Sequence, residues 1–300
     1  MNDVPPRILE LCERVAVRLR NVAGVEAVAL GGSWSRGSAR VDSDIDLGLA
    51  YDGEHPFSIA ELSEAARELD DRRSDNLMTP IGAWGPGVNG GGWLLIEGNH
   101  VDFLYRDLNR VREIVERCVS GDLDAMYQLG HPMGFQNQIW VGETHFCRPI
   151  FDRSGKLAEL KTLVAAYPEK MRSALVRKHL FDSAFCLEIA DKPAARGDVA
   201  YVAQCLASAT GFMTLVLYAL NRRFYMNEKG AFLESAGFEI RPPQFHRHVG
   251  EILGAIGKDA DALSASLDAM GVAHRDLALL CRDEMPEAEL EAAMGALWRE

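Results

Sequence analysis

The sequence has no paired cysteine motif and no long apolar run. Its six cysteines are scattered and none lies in a Cys-x-x-Cys pair, which disfavours a zinc site or a disulfide framework and fits reduced thiols. The longest largely apolar run, residues 211–220, is shorter than the roughly 20 residues that span a bilayer. Residues 1–6 lack the basic and apolar pattern of a signal segment. We therefore expect a cytoplasmic protein with no membrane segment.

Basic residues are also scarce. Lys and Arg number 32 against 44 Asp and Glu, so the formal net charge is −12. Proteins that hold a nucleic acid usually present a basic surface to its phosphates, whereas the basic clusters noted here are only pairs, Arg72–Arg73 and Arg222–Arg223. RNA and DNA are therefore disfavoured as partners. An acidic cleft would instead attract a cationic small molecule such as an amino sugar.

The composition is that of a globular protein, and its pattern changes near residue 150. Hydrophobic residues make up 48% and charged residues 25% of the chain, as in ordinary globular proteins. Strand and helix patterns alternate before the change, and the pattern from Lys156 onward is almost wholly helical. We predict an α+β protein. A mixed sheet flanked by helices occupies residues 1–152, and an all-α bundle in residues 153–300 covers the substrate or nucleotide.

Periodicity and end signals predict the individual elements. Helices are predicted at 8–22, 59–70, 108–119, 156–166, 168–190, 196–221, 244–256, 258–270 and 286–298. Strands are predicted at 25–30, 44–49, 93–96, 100–105 and 147–151, and the third and fourth form a hairpin across 97–99. The glycine-rich stretch 82–92 is predicted to be a flexible connector, with a substrate lid as the alternative.

A glycine turn follows the first predicted strand, in residues 31–37, Gly-Gly-Ser-Trp-Ser-Arg-Gly. Glycine allows a sharp turn and a close approach of the backbone to a ligand. A helix that opens near Ser33 would direct partial positive charge at the same place. Ser33 offers a hydroxyl and Arg36 a cation to a phosphate group, although Arg36 could equally be a surface residue. The turn is a candidate phosphate site.

Two carboxylates follow this turn. Asp44 and Asp46 alternate with apolar residues, so both are predicted to lie on one face of a strand, about 6–7 Å apart. Like charges at this separation repel each other unless a cation lies between them. Mg²⁺ takes oxygen ligands from carboxylates and from substrate phosphates. Asp102, in the second strand of the predicted hairpin, offers a third carboxylate.

The combined pattern resembles the nucleotidyltransferase superfamily that includes DNA polymerase β. The resemblance covers about residues 22–107 and rests on Gly32-Ser33, the later Asp44-x-Asp46 and the more distant Asp102. Within the superfamily, the chain is most similar to bacterial antibiotic and minimal nucleotidyltransferases with a C-terminal helical domain. The resemblance implies that Gly32 and Ser33 hold a triphosphate and that the three aspartates bind metal. It also implies that Asp102 is the candidate general base.

The resemblance extends to two positions outside this motif. Residues 218–229 resemble the region after the long helix in the helical domain of small-molecule nucleotidyltransferases, which implies that Lys229 contacts the triphosphate and that Arg223 is a weaker candidate. Cations at the end of a helix also have a simple structural explanation in the helix dipole. Some antibiotic adenylyltransferases use an additional glutamate as base, so Glu143 is the alternative to Asp102.

These features predict Mg²⁺-dependent transfer of a nucleoside monophosphate, AMP from ATP, to a hydroxyl of a small-molecule acceptor, with release of pyrophosphate. An antibiotic is one acceptor class that the resemblance suggests. Two alternatives remain at this point: AMP transfer to a partner protein, as minimal nucleotidyltransferases perform, and a non-catalytic nucleotide-binding module. The sequence leaves open the acceptor, the preferred nucleotide and the oligomeric state, including a homodimer.

Overall fold

The structure is a computed structural model that describes residues 4–294. The chain divides into two compact units. The first contains the residues up to Cys118 together with Asp124–Ala166, and the second contains Val119–Leu123 and the residues from Tyr167 onward. A mixed sheet with helices forms the first unit, and the second unit, as far as residue 294, has helices without strands. The predicted α+β class is confirmed.

The first unit is built on a five-stranded sheet. The strands of the unit are β1 Ala27–Leu30, β2 Ile45–Tyr51, β3 Gly91–Ile96, β4 Asn99–Asp107, β5 Ala125–Met126, β6 Phe135–Gln136 and β7 Arg148–Asp152. The main sheet has the order β3-β4-β2-β1-β7, and β5 and β6 form a separate ribbon. Strands β2 and β4 are parallel, and the other neighbours in the main sheet are antiparallel.

Seven helices accompany the sheet in the described part of this unit. They are α1 Pro6–Leu19, α2 Gly32–Arg36, α3 Ile59–Leu69, α4 Gly85–Val88, α5 Leu108–Ser120, α6 Gln138–Phe146 and α7 Lys156–Leu163. The alternation in β2 and β4 directs their large apolar side chains to one face, where Leu47, Leu49, Phe103 and Tyr105 are fully buried. Apolar residues of α1 and α3 belong to the same core. The opposite face of the sheet is therefore left for other side chains.

The predicted hairpin between β3 and β4 is confirmed. Ile96 pairs with Asn99, so the connection contains only Glu97 and Gly98. Both have positive φ, 52° and 73°, as a two-residue hairpin turn of this type requires. Residues 82–92, which are predicted to be a flexible connector, contain regular secondary structure. Part of that stretch forms α4 and the start of β3, because its glycines make close packing contacts that composition does not reveal.

Helices of the second unit form the predicted bundle. They are α8 Glu169–Ala195, α9 Val199–Leu220, α10 Ala231–Ser235, α11 Phe245–Gly254, α12 Ala260–Leu280 and α13 Glu287–Met294, with a 3₁₀ turn at Arg282–Glu284. Long helices α8 and α9 lie side by side, and α12 packs on both. Residues 295–298 of the last predicted helix lie outside the described residues. Helix α10 is an addition that periodicity did not predict.

Helix α9 is the one helix in residues 4–294 that is long and apolar enough to cross a membrane by length and composition. The longest largely apolar run of the sequence, residues 211–220, is the second half of this helix. In the second unit α9 contacts α8, α10, α11 and α12, as a core helix of a bundle does. Cytoplasmic location stays a prediction.

The division into domains after residue 152 also stays a prediction. The boundary between the compact units follows Ala166 in the sequence, because α7 packs on β7 within the first unit. The assignment of the helical part as a cover for substrate or nucleotide is a prediction of the same kind.

A buried carboxylate covers the outer edge of β3. Asp70 is 0% exposed and accepts hydrogen bonds from the N–H groups of Leu95, at 2.8 Å, and Ser74, at 3.2 Å. Arg72 pairs with it, with an N–O distance of 2.9 Å. Burial opposes its ionisation, but the bonds from Arg72, Leu95 and Ser74 outweigh burial and lower the pKa of Asp70 to about 2. The charged form therefore anchors the edge strand.

We expect Asp70→Ala to lower the free energy of unfolding by about 2–4 kcal/mol at pH 7, because buried donors lose their acceptor. The pKa of Asp70 is depressed in the folded state, so its contribution is present above the unfolded-state pKa, about 3.9, and is lost as the pH falls towards 2. Urea unfolding at pH 7 and pH 3 should therefore show a smaller difference between variant and wild type at the lower pH.

Asp75→Ala is the matched control. The Asp75 side chain is 82% exposed and lies 3.8 Å from Arg67, so its removal is expected to change the unfolding free energy by no more than about 0.5 kcal/mol. Equal destabilisation by both substitutions, or a difference at Asp70 that does not depend on pH, would contradict the assignment.

Candidate functional site

One face of the sheet carries small and acidic side chains. Ala29 of β1 is in register with Gly48 of β2, and Asp46 of β2 is in register with Asp102 of β4. Residues in register on neighbouring strands point to the same face, so the two predicted carboxylates lie side by side beside a strip without large side chains. We call this surface the site face.

The predicted glycine turn lies at one end of the site face. The N–H of Gly31 donates to the backbone oxygen of Asp46 at 2.8 Å, and α2 begins at Gly32, as the sequence predicted. Gly32 has φ +56°, and a Cβ there would lie 2.6 Å from the carboxyl carbon of Asp46. Only glycine fits both this backbone conformation and this close approach. The turn and the carboxylate of Asp46 are therefore in direct contact.

Asp44 lies just ahead of β2 and is exposed, whereas Asp46 lies in β2 and is half-buried. The indole of Trp34, in α2, donates to the backbone oxygen of Ser43 at 3.3 Å and is 8% exposed. This bond fixes the segment before β2 against α2. The role of Trp34 could not be assigned from the sequence, and the structure shows that it packs in the core. Ser33 lies half-buried in the same short helix.

The pKa of Asp46 is raised to about 7, first by burial and then by the negative charges of Asp102, Glu143 and Asp44, while Arg106 opposes the shift. Three neighbouring carboxylates therefore disfavour the negative charge of Asp46. Because the charged forms repel one another, a bound cation would stabilise them together.

Sequence reasoning missed Arg106. Its guanidinium makes two bonds to Glu143, Nε–Oε2 at 2.9 Å and Nη2–Oε1 at 3.0 Å, and lies 5.1 Å from the ring centre of Trp140. Arg106 is four residues after Asp102 in β4, so the alternation of a strand could have placed it on the site face. Glu143 is thus held by a cation, and its use as a general base stays a prediction.

The remaining predicted contacts are divided between the two units. Arg36, in the last turn of α2, lies 5.7 Å from the ring centre of Phe146, so it is held against α6. Lys229 belongs to the second unit, where it is exposed in the segment before α10. Arg223 of that unit lies 5.9 Å from the ring centre of Phe238. Contact of Arg36 or Lys229 with phosphate stays a prediction.

The acidic residues fit a divalent cation that is shared with a substrate. Within residues 4–294, no three His, Cys, Asp or Glu side chains are grouped as a metal site. Asp46 and Asp102 nevertheless present two carboxylates in register on adjacent strands, and Asp44 adds charge nearby. Mg²⁺ is commonly bound by one or two carboxylates, with phosphate oxygens and waters as the other ligands. The donor set matches this mode of binding.

Two family models match separate parts of the chain. One, described as a nucleotidyltransferase domain, matches residues 11–82, and the other, described as a domain of unknown function (DUF4037), matches residues 143–229. No curated protein matches the chain. Eleven chains of solved structures match. One is a nucleotidyltransferase-like protein from Exiguobacterium sibiricum 255-15, with 10% identity and a TM-score of 0.45 over 92% of this chain and 78% of that chain.

Proposed function

We propose that the nucleotidyltransferase domain carried by this chain transfers AMP from ATP to a hydroxyl of a small-molecule acceptor, with Mg²⁺ as the metal. The domain match supports nucleotide transfer as the general activity. The observation that carries the specific proposal is the direct contact of the turn at Gly32 with Asp46, whose neighbour in register is Asp102. The proposed phosphate site at the turn and the proposed metal-binding carboxylates are thus adjacent.

The triphosphate is proposed to lie on the glycine turn. The missing side chain at Gly32 lets the turn lie directly against the Asp46 carboxylate, and the Ser33 hydroxyl would donate to a phosphate oxygen. Arg36 is proposed as a further phosphate contact, because a guanidinium group forms charge-assisted bonds with phosphate.

Asp44, Asp46 and Asp102 would hold the metal, which would offset the charge that develops on the α-phosphoryl oxygens. The carboxylate of Asp102 is proposed to accept the proton of the acceptor hydroxyl. The hydroxyl oxygen then forms a bond to the α-phosphorus, while the bond from that phosphorus to the pyrophosphate oxygen breaks. Pyrophosphate leaves, and the acceptor carries AMP.

The acidic balance of the chain supports a small molecule over a nucleic acid as acceptor. The net charge is −12, and a polyphosphate backbone would be repelled by such a chain except at a local basic patch. An antibiotic is one acceptor of this kind, and a hydroxyl of a partner protein is the alternative. We place the reaction in the cytoplasm and leave a homodimer open.

Isothermal titration with ATP, with and without Mg²⁺, tests the proposal. We expect metal-dependent binding by the wild type, and at least tenfold weaker binding by Asp44→Ala/Asp46→Ala, because the double substitution removes two of the three metal-binding carboxylates. The exposed Asp75→Ala variant should bind as the wild type does. A screen of acceptors for pyrophosphate release would follow.

Equal ATP binding by the wild type and the double variant would overturn the proposed site. Absence of binding by any nucleoside triphosphate would overturn the proposed donor. Transfer of AMP to one stoichiometric protein, with no small-molecule acceptor, would favour the alternative acceptor.

A further inference from the structure

A large aromatic side chain lies exposed beside the proposed reacting groups. Trp93 is 63% exposed, and it is the cross-strand partner of Asp102. Because partners in register share a face, the Trp93 side chain lies on the site face next to the Asp102 carboxylate. Exposed tryptophan at this position leaves apolar surface in water, which is typical of binding surfaces when it adjoins a functional site.

A second tryptophan extends this surface. Trp84 stacks on Trp93, with ring centres 4.6 Å apart and an angle of 25° between the rings. The stack requires glycine at position 91, because a Cβ at Gly91 would lie 2.8 Å from Cζ3 of Trp84 and would also meet the backbone oxygen of Phe103. We call Trp84 and Trp93 the tryptophan pair.

Buried polar side chains hold the segment that carries Trp84. Gln128, which is 5% exposed, donates from Nε2 to the backbone oxygen of Trp84 at 2.6 Å and accepts from the N–H of Gly87 at 3.0 Å. Asn89 donates to the hydroxyl of Tyr51 at 2.9 Å. The pair is therefore organised before any ligand binds, which reduces the entropy lost on binding.

The position of the pair in the sheet indicates which substrate it contacts. Gly31, which follows β1, lies in one cross-strand row with Asp46 of β2, Asp102 of β4 and Trp93 of β3. Adjacent strands are about 4.8 Å apart, so Trp93 lies about 10 Å from Asp46, on the side away from the glycine turn. A donor whose phosphates lie on the turn would place its reacting phosphorus at the carboxylates. The acceptor hydroxyl would then approach from the side of the tryptophan pair.

We propose that the tryptophan pair is the binding surface for the acceptor, and that the acceptor is a small molecule with an apolar ring face close to its reactive hydroxyl. This inference rests on the proposed function for the assignment of donor and acceptor sides. Aromatic side chains stack on such ring faces, while the carboxylate of Asp102 meets the adjacent hydroxyl. Leu104, in register with Gly91, adds apolar surface beside the pair. Stacking on the tryptophan pair selects acceptors that have an apolar ring face. The position of the hydroxyl next to Asp102 determines which oxygen receives the AMP.

Phenyl β-D-glucoside is a suitable probe because it carries an aromatic ring, a sugar ring and hydroxyls. Ligand-observed NMR titration of the whole protein, with Mg²⁺ and a non-hydrolysable ATP analogue present, would give its Kd. We expect Trp93→Ala to raise this Kd at least fivefold, while Trp93→Phe retains most of the affinity. Phe185→Ala is the matched control, since Phe185 is an aromatic residue of the second unit with 51% exposure. It should leave the Kd unchanged.

ATP binding is measured in parallel on the same variants. Unchanged ATP affinity in Trp93→Ala, together with weaker probe binding, supports the inference. Equal probe binding by wild type and Trp93→Ala, or no probe binding by the wild type at millimolar concentration, overturns it. Loss of ATP affinity in Trp93→Ala with probe binding intact would assign the pair to the nucleobase and also overturn it. If the protein binds no ATP but still binds the probe through Trp93, the tryptophan pair is supported as a binding surface. In that case the proposed function, with ATP as the donor, is overturned.

Discussion

Replacement of Asp46 by Asn is expected to lower the rate of nucleotidyl transfer by about 10³-fold or more, without loss of the fold. Asp46 contacts the glycine turn and is in register with Asp102, so its carboxylate lies between the proposed phosphate and metal contacts. The amide has nearly the same shape as the carboxylate but carries no charge to hold a cation. The rate of pyrophosphate release at saturating ATP is the measurement, and the exposed Asp75→Asn variant is the control.

The same substitution is expected to make the ligand-free protein more stable at high pH. The folded-state pKa of Asp46 is about 7, well above the unfolded-state value of about 3.9. The folded state therefore binds more protons between these values, and its stability falls as the pH rises through this window. The uncharged amide of Asp46→Asn avoids this cost, so the variant should be more stable than the wild type by up to about 4 kcal/mol at pH 8 and by nearly nothing at pH 4.

Two results would contradict this account of Asp46. If Asp46→Asn retained the transfer rate of the wild type, Asp46 would have no role in the reaction. A variant that is less stable than the wild type at pH 8 would show that the carboxylate stabilises the empty fold, in conflict with the repulsion from Asp102, Glu143 and Asp44.

Gly32→Ala is expected to lower transfer by at least about 10²-fold and the free energy of unfolding by about 2–4 kcal/mol. The substitution has two costs. Alanine is strained at φ +56°, and its Cβ would lie 2.6 Å from the carboxyl carbon of Asp46. Relief of this clash must move either the turn or the Asp46 side chain, and both lie where the phosphates and the metal are proposed to bind. Chemical unfolding and initial rates measure the two effects.

Gly98→Ala separates backbone strain from the clash. Gly98 has φ +73°, but a Cβ there would meet nothing within 4 Å. We expect this control to lose about 1 kcal/mol of stability through strain alone and to keep its transfer rate. If both glycine variants lost the same stability and retained the same transfer rate, the close contact between Gly32 and Asp46 would not be needed for the activity.

Local patterns were sufficient to predict the strands that carry the site. The alternation around Asp46 and the hairpin before Asp102 are encoded within a few residues, so the sheet and its two faces follow from period-two spacing. The sequence could not show that Asp44 precedes β2 while Asp46 lies within it. That difference depends on the bond from Trp34 to Ser43, which positions the entry to the strand.

Contacts between distant segments explain what sequence reasoning missed. Arg106 reaches Glu143 across 37 positions, and Gln128 binds the backbone of Gly87 across 41 positions. No local pattern encodes such partners. The glycine content of residues 82–92 predicts flexibility, although Gly91 is required because the ring of Trp84 and the backbone of Phe103 lie against it. Glycine content alone does not distinguish a mobile segment from a closely packed one.

The parallel pairing of β2 with β4 has a consequence for the order in which the proposed reaction centre is assembled during folding. Asp46 and Asp102 are neighbours in the sheet, but more than fifty residues of chain, including α3 and β3, must close between them. Contacts with such long sequence separation form only after the entropy of that loop has been lost. A chain that has formed only its local helices and hairpins would hold one carboxylate without the other. The proposed activity would therefore require complete folding of the first unit. A nascent or partly unfolded chain would not use ATP as a substrate.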